Sequence, residues 1–402
     1  MAGIYENAHM TIAATSAQDS NGGLFSPIRP VMRRLDKHPH LYVREDPPHF
    51  PTLTLYPAEQ TLWPLLTRAW VYQERKLSPR TIHFGRYQVY WECQTGFFSE
   101  DADNDSIWDT DADRGRGPVS LRWGDRVVDC ARQWQKILTE YTNLRLTYES
   151  DRLPAIAALA DQMSRLRRAD DVYIAGMWKN SILSDLLWSA GSDEPRPVRL
   201  VPTWSWASTQ NAKITWSAYT SPDWAKVINL EYTAIGAAYL GEVINASIVL
   251  STSVLDLNEA KLLFLAYKEY LYLQPRFNDI FTSPSMDLFQ RNKLVPGFIS
   301  FDKDYYLSTA DPTYVTRHAV KLLVSNHKGS GIDGIVIRQI TTNPVEYERI
   351  GFLNIEIRRS EPRESYESSE YIEGEYEKQK EDLEKRMDNL IRSLPVEDVK
   401  IV

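Results

Sequence analysis

The sequence predicts an α/β N-terminal part, then a helical middle region, then a β-rich C-terminal region, so that the chain as a whole is α+β. Three observations predict this. Apolar residues recur at helical spacing from Leu62 to Leu77 and from Arg122 to Tyr141, and short strand-like runs precede and follow the first of these. From about Ile244 the apolar residues gather in short runs instead: Ser247–Thr252, Leu271–Leu273, Val320–Val324, Gly334–Ile337 and Tyr347–Phe352. After Ser360 apolar residues thin out, and Glu, Ser and Tyr, then Glu and Lys, take over.

Each element has a local reason. Ile4, Tyr5 and Ala8 followed by Thr11-Ile-Ala-Ala14 read as the end of a helix running into a short buried strand. Such a strand, left at a sheet edge, invites self-association. Asn21-Gly22-Gly23 is a turn, and Leu41–Val43 and Thr52–Tyr56 look like strands around the loop signal Asp46-Pro47-Pro48. Leu62 to Leu77 is a helix with Pro64 in its first turn and Ser78-Pro79 as its stop. Its apolar stripe is Leu62, Leu66, Ala69, Trp70 and Leu77, interrupted by Gln73, with Glu74 on the edge and Arg68 and Arg75 opposite. Thr81–Phe84 and Tyr87–Cys93 form a hairpin about Gly85-Arg86, with Ile82 facing Val89, Phe84 facing Tyr87, and His83 and Gln88 on the other face. Further helices are expected from Asp151 and from Tyr173 to Trp188. Pro202–Ala207 alternates like a strand with Trp204 and Trp206 on one face. Residues 360–373 bury too little to fold, and 375–394 suit a solvated helix. The expected divisions are 1–98, an acidic linker at 99–118, a helical Trp-rich extension at 119–243, a β-rich region at 244–358 and an acidic disordered or helical tail at 359–402.

Composition narrows the function classes. A chain of 402 residues suggests two or three domains and can bury a large core. A net charge of −8 offers no global basic field for nucleic acid or anionic lipid. Two cysteines, Cys93 and Cys130, exclude a disulfide-built module and a four-cysteine zinc site, and a reduced cytoplasmic setting fits. No segment resembles a signal peptide or an apolar membrane span, and Lys261–Tyr267 is too short for one.

Three stretches stand out when taken together. The first is Ile4-Tyr-Glu-Asn-Ala-His-Met-Thr-Ile-Ala-Ala14 with Gly23-Leu-Phe25. The second is Thr67-Arg-Ala-Trp-Val-Tyr-Gln-Glu-Arg-Lys-Leu-Ser-Pro-Arg80 with His83-Phe-Gly85 and Trp91-Glu-Cys93. The third is Asp151–Ala155, Tyr173–Trp178, Leu187-Trp188 and Pro202–Ala207. Together they resemble the fungal heterokaryon incompatibility (HET) domain family, and the Arg68-x-Trp70-x-x-Gln73-Glu74 block is the most specific part. The family's opening Ser-Tyr-x-Trp-Gly block and its Trp-Ile-Asp and Cys-Ile-x-Gln pairs do not occur, so the resemblance implies a HET domain lacking its N-terminal part. It further implies a remnant of a Toll/interleukin-receptor-like α/β domain and a role in non-self recognition and programmed cell death when fungal cells fuse. Some proteins of that wider class hydrolyse NAD. The resemblance thus suggests NAD as a substrate of intact members, while this chain is expected not to be catalytic alone; the alternatives are an NAD-cleaving cell-death effector using Glu74 and a non-enzymatic interaction protein acting through its C-terminal sheet and tail. No cofactor is evident, and the expected partner is a protein or a second copy, with no nucleic acid and no membrane span.

The candidate site residues are Arg68, Trp70, Gln73, Glu74, Arg80, His83 and Trp91. Glu74, desolvated beside Trp70, is either a tuned carboxylate or the partner of an arginine such as Arg68, Arg75 or Arg80. Gln73 at a core position must satisfy a partner of its own. His83 is a structural residue or a general base, and Cys93 across the hairpin is a buried thiol or a nucleophile lacking a third group. Asp101-x-Asp103-x-Asp105 opens like a calcium loop but lacks the sixth-position Gly, and Ala112 stands where the bidentate Glu belongs. Trp204 and Trp206 are core residues or a sugar-stacking pair.

Overall fold

The computed structural model describes residues 2–25, 32–44, 50, 60–93, 95–101, 106–107, 129–191, 201–209, 212–216, 224–234, 236, 243–256, 298–301, 320–328, 331–356, 381, 385, 388–389 and 391–402. The chain forms two compact units, Met1–Asp170 and Asp171–Val402, a division that falls inside the expected 119–243 extension. Segments 46–48, 52–56, 261–267, 271–273 and 360–373 lie outside the described residues.

In the first unit α1 (Ala2–Glu6) leads to β1 (Thr11–Ala13), but the strand expected to be buried is an edge strand with Ile12 59% exposed. A separate two-stranded ribbon follows, made of β2 (Met32–Leu35) and β3 (His38–Arg44). Then come α2 (Ala69–Leu77), β4 (Arg80–Phe84), β5 (Val89–Cys93), β6 (Gly96–Ser99), β7 (Ser106–Ile107), α3 (Cys130–Tyr141) and α4 (Ala157–Ser164). The five-stranded sheet runs β1-β4-β5-β6-β7, with β1 parallel to β4 and every other pair antiparallel.

Two expectations change in this unit. The helix over 62–77 is two pieces, a 3-10 turn at Pro64–Thr67 and then α2. Arg68 between them is extended (φ −91°, ψ 129°), because Ala69 N–H donates to the Arg145 carbonyl (2.9 Å) and Arg145 N–H to that of Thr67 (2.7 Å). These pairings replace helical ones and re-aim α2. The β4–β5 hairpin has a four-residue connection, Gly85–Gln88, and Phe84 faces Val89, His83 faces Tyr90 and Ile82 faces Trp91. A Cβ on Gly85 would lie 2.8 Å from the Tyr90 ring and 2.9 Å from the Gln88 carbonyl, so only glycine fits where the loop closes over the core. In this register His83, Tyr90 and Glu92 point into the core, while Ile82, Val89 and Trp91 take the half-buried face. The core beneath is aromatic: Phe50, Trp63, Leu66, Tyr90 and Phe97, with Phe50 within 4.9 Å of the Trp63, Tyr90 and Phe97 rings.

The second unit contains β8 (Tyr173–Ile174), β9 (Met177–Trp178), α5 (Ile182–Asp185), β10 (Trp188–Gly191) and β11 (Lys213–Trp216). The helix expected over Tyr173–Trp188 is therefore a tight hairpin followed by one short helix. Ala175 (φ 47°) and Gly176 (φ 94°) take the left-handed conformation that a two-residue turn with β twist requires. The Ser205 hydroxyl donates to the Ala175 carbonyl (2.6 Å) and the Trp206 indole to that of Gly176 (2.9 Å), holding the turn. Pro202–Ala207 is a turn and the start of a 3-10 helix, not a strand. Trp204 and Trp206 are fully buried, as are Trp178 and Trp188, so they are core.

Of the runs expected to be strands, four appear as β13 (Val243–Asp256), β15 (Val320–Lys328), β16 (Gly331–Thr342) and β17 (Val345–Glu356), joined by β14 (Phe298–Phe301) and by β12 (Lys226–Ala234), which lies within the stretch expected to be helical. The end of the expected acidic tail is a correction. Ile391 and Leu394 are buried, and Val396–Ile401 is a strand, β18, within the sheet. It pairs antiparallel with β13 and parallel with β17, closing a ring β13-β15-β16-β17-β18. A Cβ on Gly334 would collide with the Leu323 carbonyl, so β15 and β16 approach as closely as they do only because β16 carries glycine there. Arg349 of β17 is fully buried, its guanidinium 3.3 Å from the centre of the Trp188 ring, and its main-chain N–H donates to the Thr203 hydroxyl (3.1 Å).

Candidate functional site

The motif block on α2 is a fastening device. Its inner face buries Ala69, Tyr72, Gln73, Lys76 and Leu77. The first N–H groups of any helix lack intrahelical acceptors. On α4 the Ile156 cap has no side-chain acceptor, and Gln73 supplies one by accepting from Ala158 N–H at 2.7 Å. The Trp70 indole donates to Asp151 (3.0 Å). The Tyr72 hydroxyl donates to Glu140 of α3 (2.8 Å), and Lys76 lies 3.4 Å from the same carboxylate and 5.5 Å from the Tyr72 ring centre. One helix thus clamps two others through polar bonds inside an apolar seam. Replacing Gln73 with alanine is expected to cost about 1–3 kcal/mol, because it strands the Ala158 donor. Urea unfolding with amide exchange at Ala158 measures it, and unchanged protection there would contradict it.

Glu74 is half-buried. Burial raises its carboxyl from the ordinary 4.5, while a hydrogen bond from Tyr5 and the charge of Arg68 pull it back. The same pairing, added to burial, raises the Tyr5 hydroxyl. Arg68 and Arg80 are exposed, and Arg80 donates to the His9 carbonyl (3.3 Å). Trp91 lies on the half-buried sheet face opposite Phe98 of β6. The seven candidates therefore divide. Glu74 bonds Tyr5 within the field of the exposed Arg68, Trp70 and Gln73 serve as fasteners, and His83 sits in the core away from Trp91 and Arg80.

His83 belongs to a network that hairpin reading missed. Its Nε2 lies 2.9 Å from a Glu92 oxygen and its Nδ1 3.0 Å from the Thr15 hydroxyl. Arg75 grips Glu92 from α2, Nε at 2.6 Å and Nη2 at 3.1 Å, and lies over Phe50, 5.2 Å from its ring centre. Burial alone would raise the Glu92 carboxyl, but Arg75 and His83 override it and hold it well below the carboxylate range. Glu92 is thus an ionised acceptor, so His83 Nε2 carries the proton and Nδ1 accepts from Thr15. The connectivity is that of a nucleophile, base and acid. Thr15 is, however, 0% exposed, so no carbonyl reaches its oxygen. The network ties β4, β5, α2 and the residues after β1 together. Cys93 shares the opposite sheet face and is only partly buried, so it forms no pair with His83.

This network makes stability depend on pH with one sign. Burial lowers the His83 ring below its ordinary 6.5, against the pull of Glu92. The unfolded chain then binds more protons at both His83 and Glu92 as pH falls. Stability is expected to hold above about pH 6.5, to weaken below it, and to fall faster below about pH 4.5, where Glu92 takes up a proton in the unfolded chain but not in the folded one. Denaturant midpoints across that range test this, and Glu92→Gln is expected to flatten the lower limb.

Arg75, Glu92, Thr15 and Asp151 are the residues that sequence reading did not select. The signal existed for one pair: with a four-residue loop, Glu92 faces Thr81 and becomes the diagonal neighbour of His83. Asp103, Asp105 and Ala112 lie outside the described residues, and among the described residues no group of three or more His, Cys, Asp or Glu could hold a metal ion. Among them, too, no helix is long and apolar enough to cross a membrane. No protein-family model, curated protein or solved structure matches this chain.

Proposed function

We propose that the chain is a heterokaryon-incompatibility protein, acting in non-self recognition and programmed cell death on fungal cell fusion. One observation carries this reading: the stretches on which the resemblance rests, far apart in sequence, meet through specific side-chain bonds. In the first unit Tyr5 bonds Glu74 and Trp70 bonds Asp151, while Thr15 just beyond the first stretch bonds His83 and Ala158 just beyond the third bonds Gln73. In the second, Trp188 donates to the Trp204 carbonyl (3.0 Å) and Trp206 to that of Gly176 (2.9 Å). Within each unit these bonds hold motif residues together, and we relate the α/β part of the first to the Toll/interleukin-receptor-like class. The test is inducible expression of the full chain in filamentous hyphae, with vital-dye uptake scored in fused cells. Uptake above an empty-vector control supports the reading, and uptake at the control level with folded protein present overturns it.

A second reading is an NAD-cleaving cell-death effector using Glu74. It is favoured by the half-buried carboxyl, raised by burial and held at the surface by Tyr5 and Arg68. Glu74→Gln preserves shape and removes the charge. NAD turnover lost in that variant supports the reading, and turnover that is absent or unchanged removes it.

A further inference from the structure

Arg68 and Arg145 are held side by side by the main chain. They form an isolated parallel bridge, in which Ala69 N–H donates to the Arg145 carbonyl (2.9 Å) and Arg145 N–H to that of Thr67 (2.7 Å). Residues paired in this way send their side chains off one face, from backbones about 4.8 Å apart. Both of these side chains are exposed. Like charges placed directly opposite each other are destabilising. The position adds to that cost, because Arg68 precedes the first turn of α2, where the helix end is itself positive and disfavours a cation. Relief from within the protein is slight. Among the described residues neither guanidinium lies within ion-pair distance of a carboxylate. Arg145 donates to the neutral Gln60 amide oxygen, and Arg68 acts on Glu74 through its field alone. Main-chain bonds thus set two cations together, and the fold does not neutralise them.

We propose that Arg68 and Arg145 bind the diphosphate group of a small molecule, one guanidinium to each phosphate. The chemistry of the two side chains selects this ligand. A guanidinium presents a rigid fork that matches two oxygens of a carboxylate or a phosphate. One fork fills a carboxylate, whereas a diphosphate offers a pair of oxygens to each of two forks. Gln60 uses its oxygen on Arg145, so its amide N–H groups remain to donate beside that fork. The positive end of α2 strengthens the same attraction. A nucleic acid or an anionic membrane is held by an extended run of cations, and this pair stands in a chain of net charge −8. No bond is made or broken in this step, so it stands apart from any cleavage by Glu74 and from the fungal role.

The test is phosphorus NMR titration of inorganic pyrophosphate with the full chain at low ionic strength. Pyrophosphate is expected to bind with a Kd of about 1 mM or below, and inorganic phosphate about tenfold more weakly, since it cannot fill both forks. Arg68→Gln and Arg145→Gln are each expected to weaken pyrophosphate binding about tenfold. The bridge is made by main-chain bonds, so both variants keep it, and far-ultraviolet circular dichroism checks the fold. Arg68→Lys with Arg145→Lys keeps both charges and removes both forks, and is expected to bind several-fold more weakly than the native chain. Pyrophosphate that binds no better than phosphate, or equally to the native chain and both single variants, overturns the proposal. So does native affinity in the double lysine variant, because the pair is then only a spot of positive charge. Tighter binding of an oligonucleotide or of anionic phospholipid vesicles, weakened by Arg145→Gln, overturns it as well, because the pair then belongs to a general polyanion surface.

Discussion

Glu92→Ala is expected to destabilise the first unit by about 3–5 kcal/mol and to lower its melting temperature by roughly 10 °C. The size follows from what is left behind. Arg75 and Glu92 have side chains only 14% and 6% exposed, and His83 is 1% exposed. Removing the carboxylate leaves a guanidinium held over Phe50 and an imidazole N–H without its acceptor, in a core too dry to hydrate either. A buried pair need not be strongly stabilising as a pair, because desolvation offsets much of the attraction. The sharper expectation is therefore non-additivity: Arg75→Met with Glu92→Leu should cost much less than the sum of the two single changes. Urea unfolding of the four proteins closes the cycle. A loss under about 1 kcal/mol in Glu92→Ala, the size of an exposed pair, would show that the carboxylate is hydrated and the clamp is not one.

The elements that sequence reading recovered are those where period and punctuation agree. The β-rich runs after Ile244 appear as β13 and β15–β17, because short apolar runs bounded by turn residues have few other ways to be buried. Gln73 in an apolar stripe announced a buried acceptor, and Ala158 is its donor. Reading failed where long-range bonds decide. Nothing local in Thr67-Arg68-Ala69 shows that Arg145 will pull the chain straight, since that partner lies far along the chain. Tyr173–Trp188 has apolar residues at spacings that a helix also allows, and the deciding feature is a left-handed Ala175-Gly176 turn held by Ser205 and Trp206. In the hairpin a two-residue loop and a four-residue loop keep the same faces, so the alternation could not choose between them. Only the register that brings Glu92 diagonal to His83 assembles the network.

Removing residues 395–402 is expected to unfold the second unit at ordinary temperature. β18 lies between two strands and does not decorate an edge. It covers Ile248–Ser253 of β13 through six antiparallel pairs and reaches Tyr347 of β17 on its other side. Without it the ring β13-β15-β16-β17 opens, and two strands lose partners along their inner edges. Val399 and Ile401 are 1% and 0% exposed, and burying two such side chains contributes about 3–6 kcal/mol. The deletion also uncovers Ile248 and Leu250 and removes the Val402 carbonyl that accepts from Thr203. Set against a typical total of about 5–15 kcal/mol, these losses leave little or nothing. Ile401→Asp, which keeps the chain length and places a charge in the ring, is expected to fail in the same way. The measurement is amide exchange along β13 with far-ultraviolet circular dichroism. Native protection of Ile248 and Leu250 in the deleted chain would mean that the ring holds itself closed without its last strand, and that the burial of Val399 and Ile401 is not what keeps it shut.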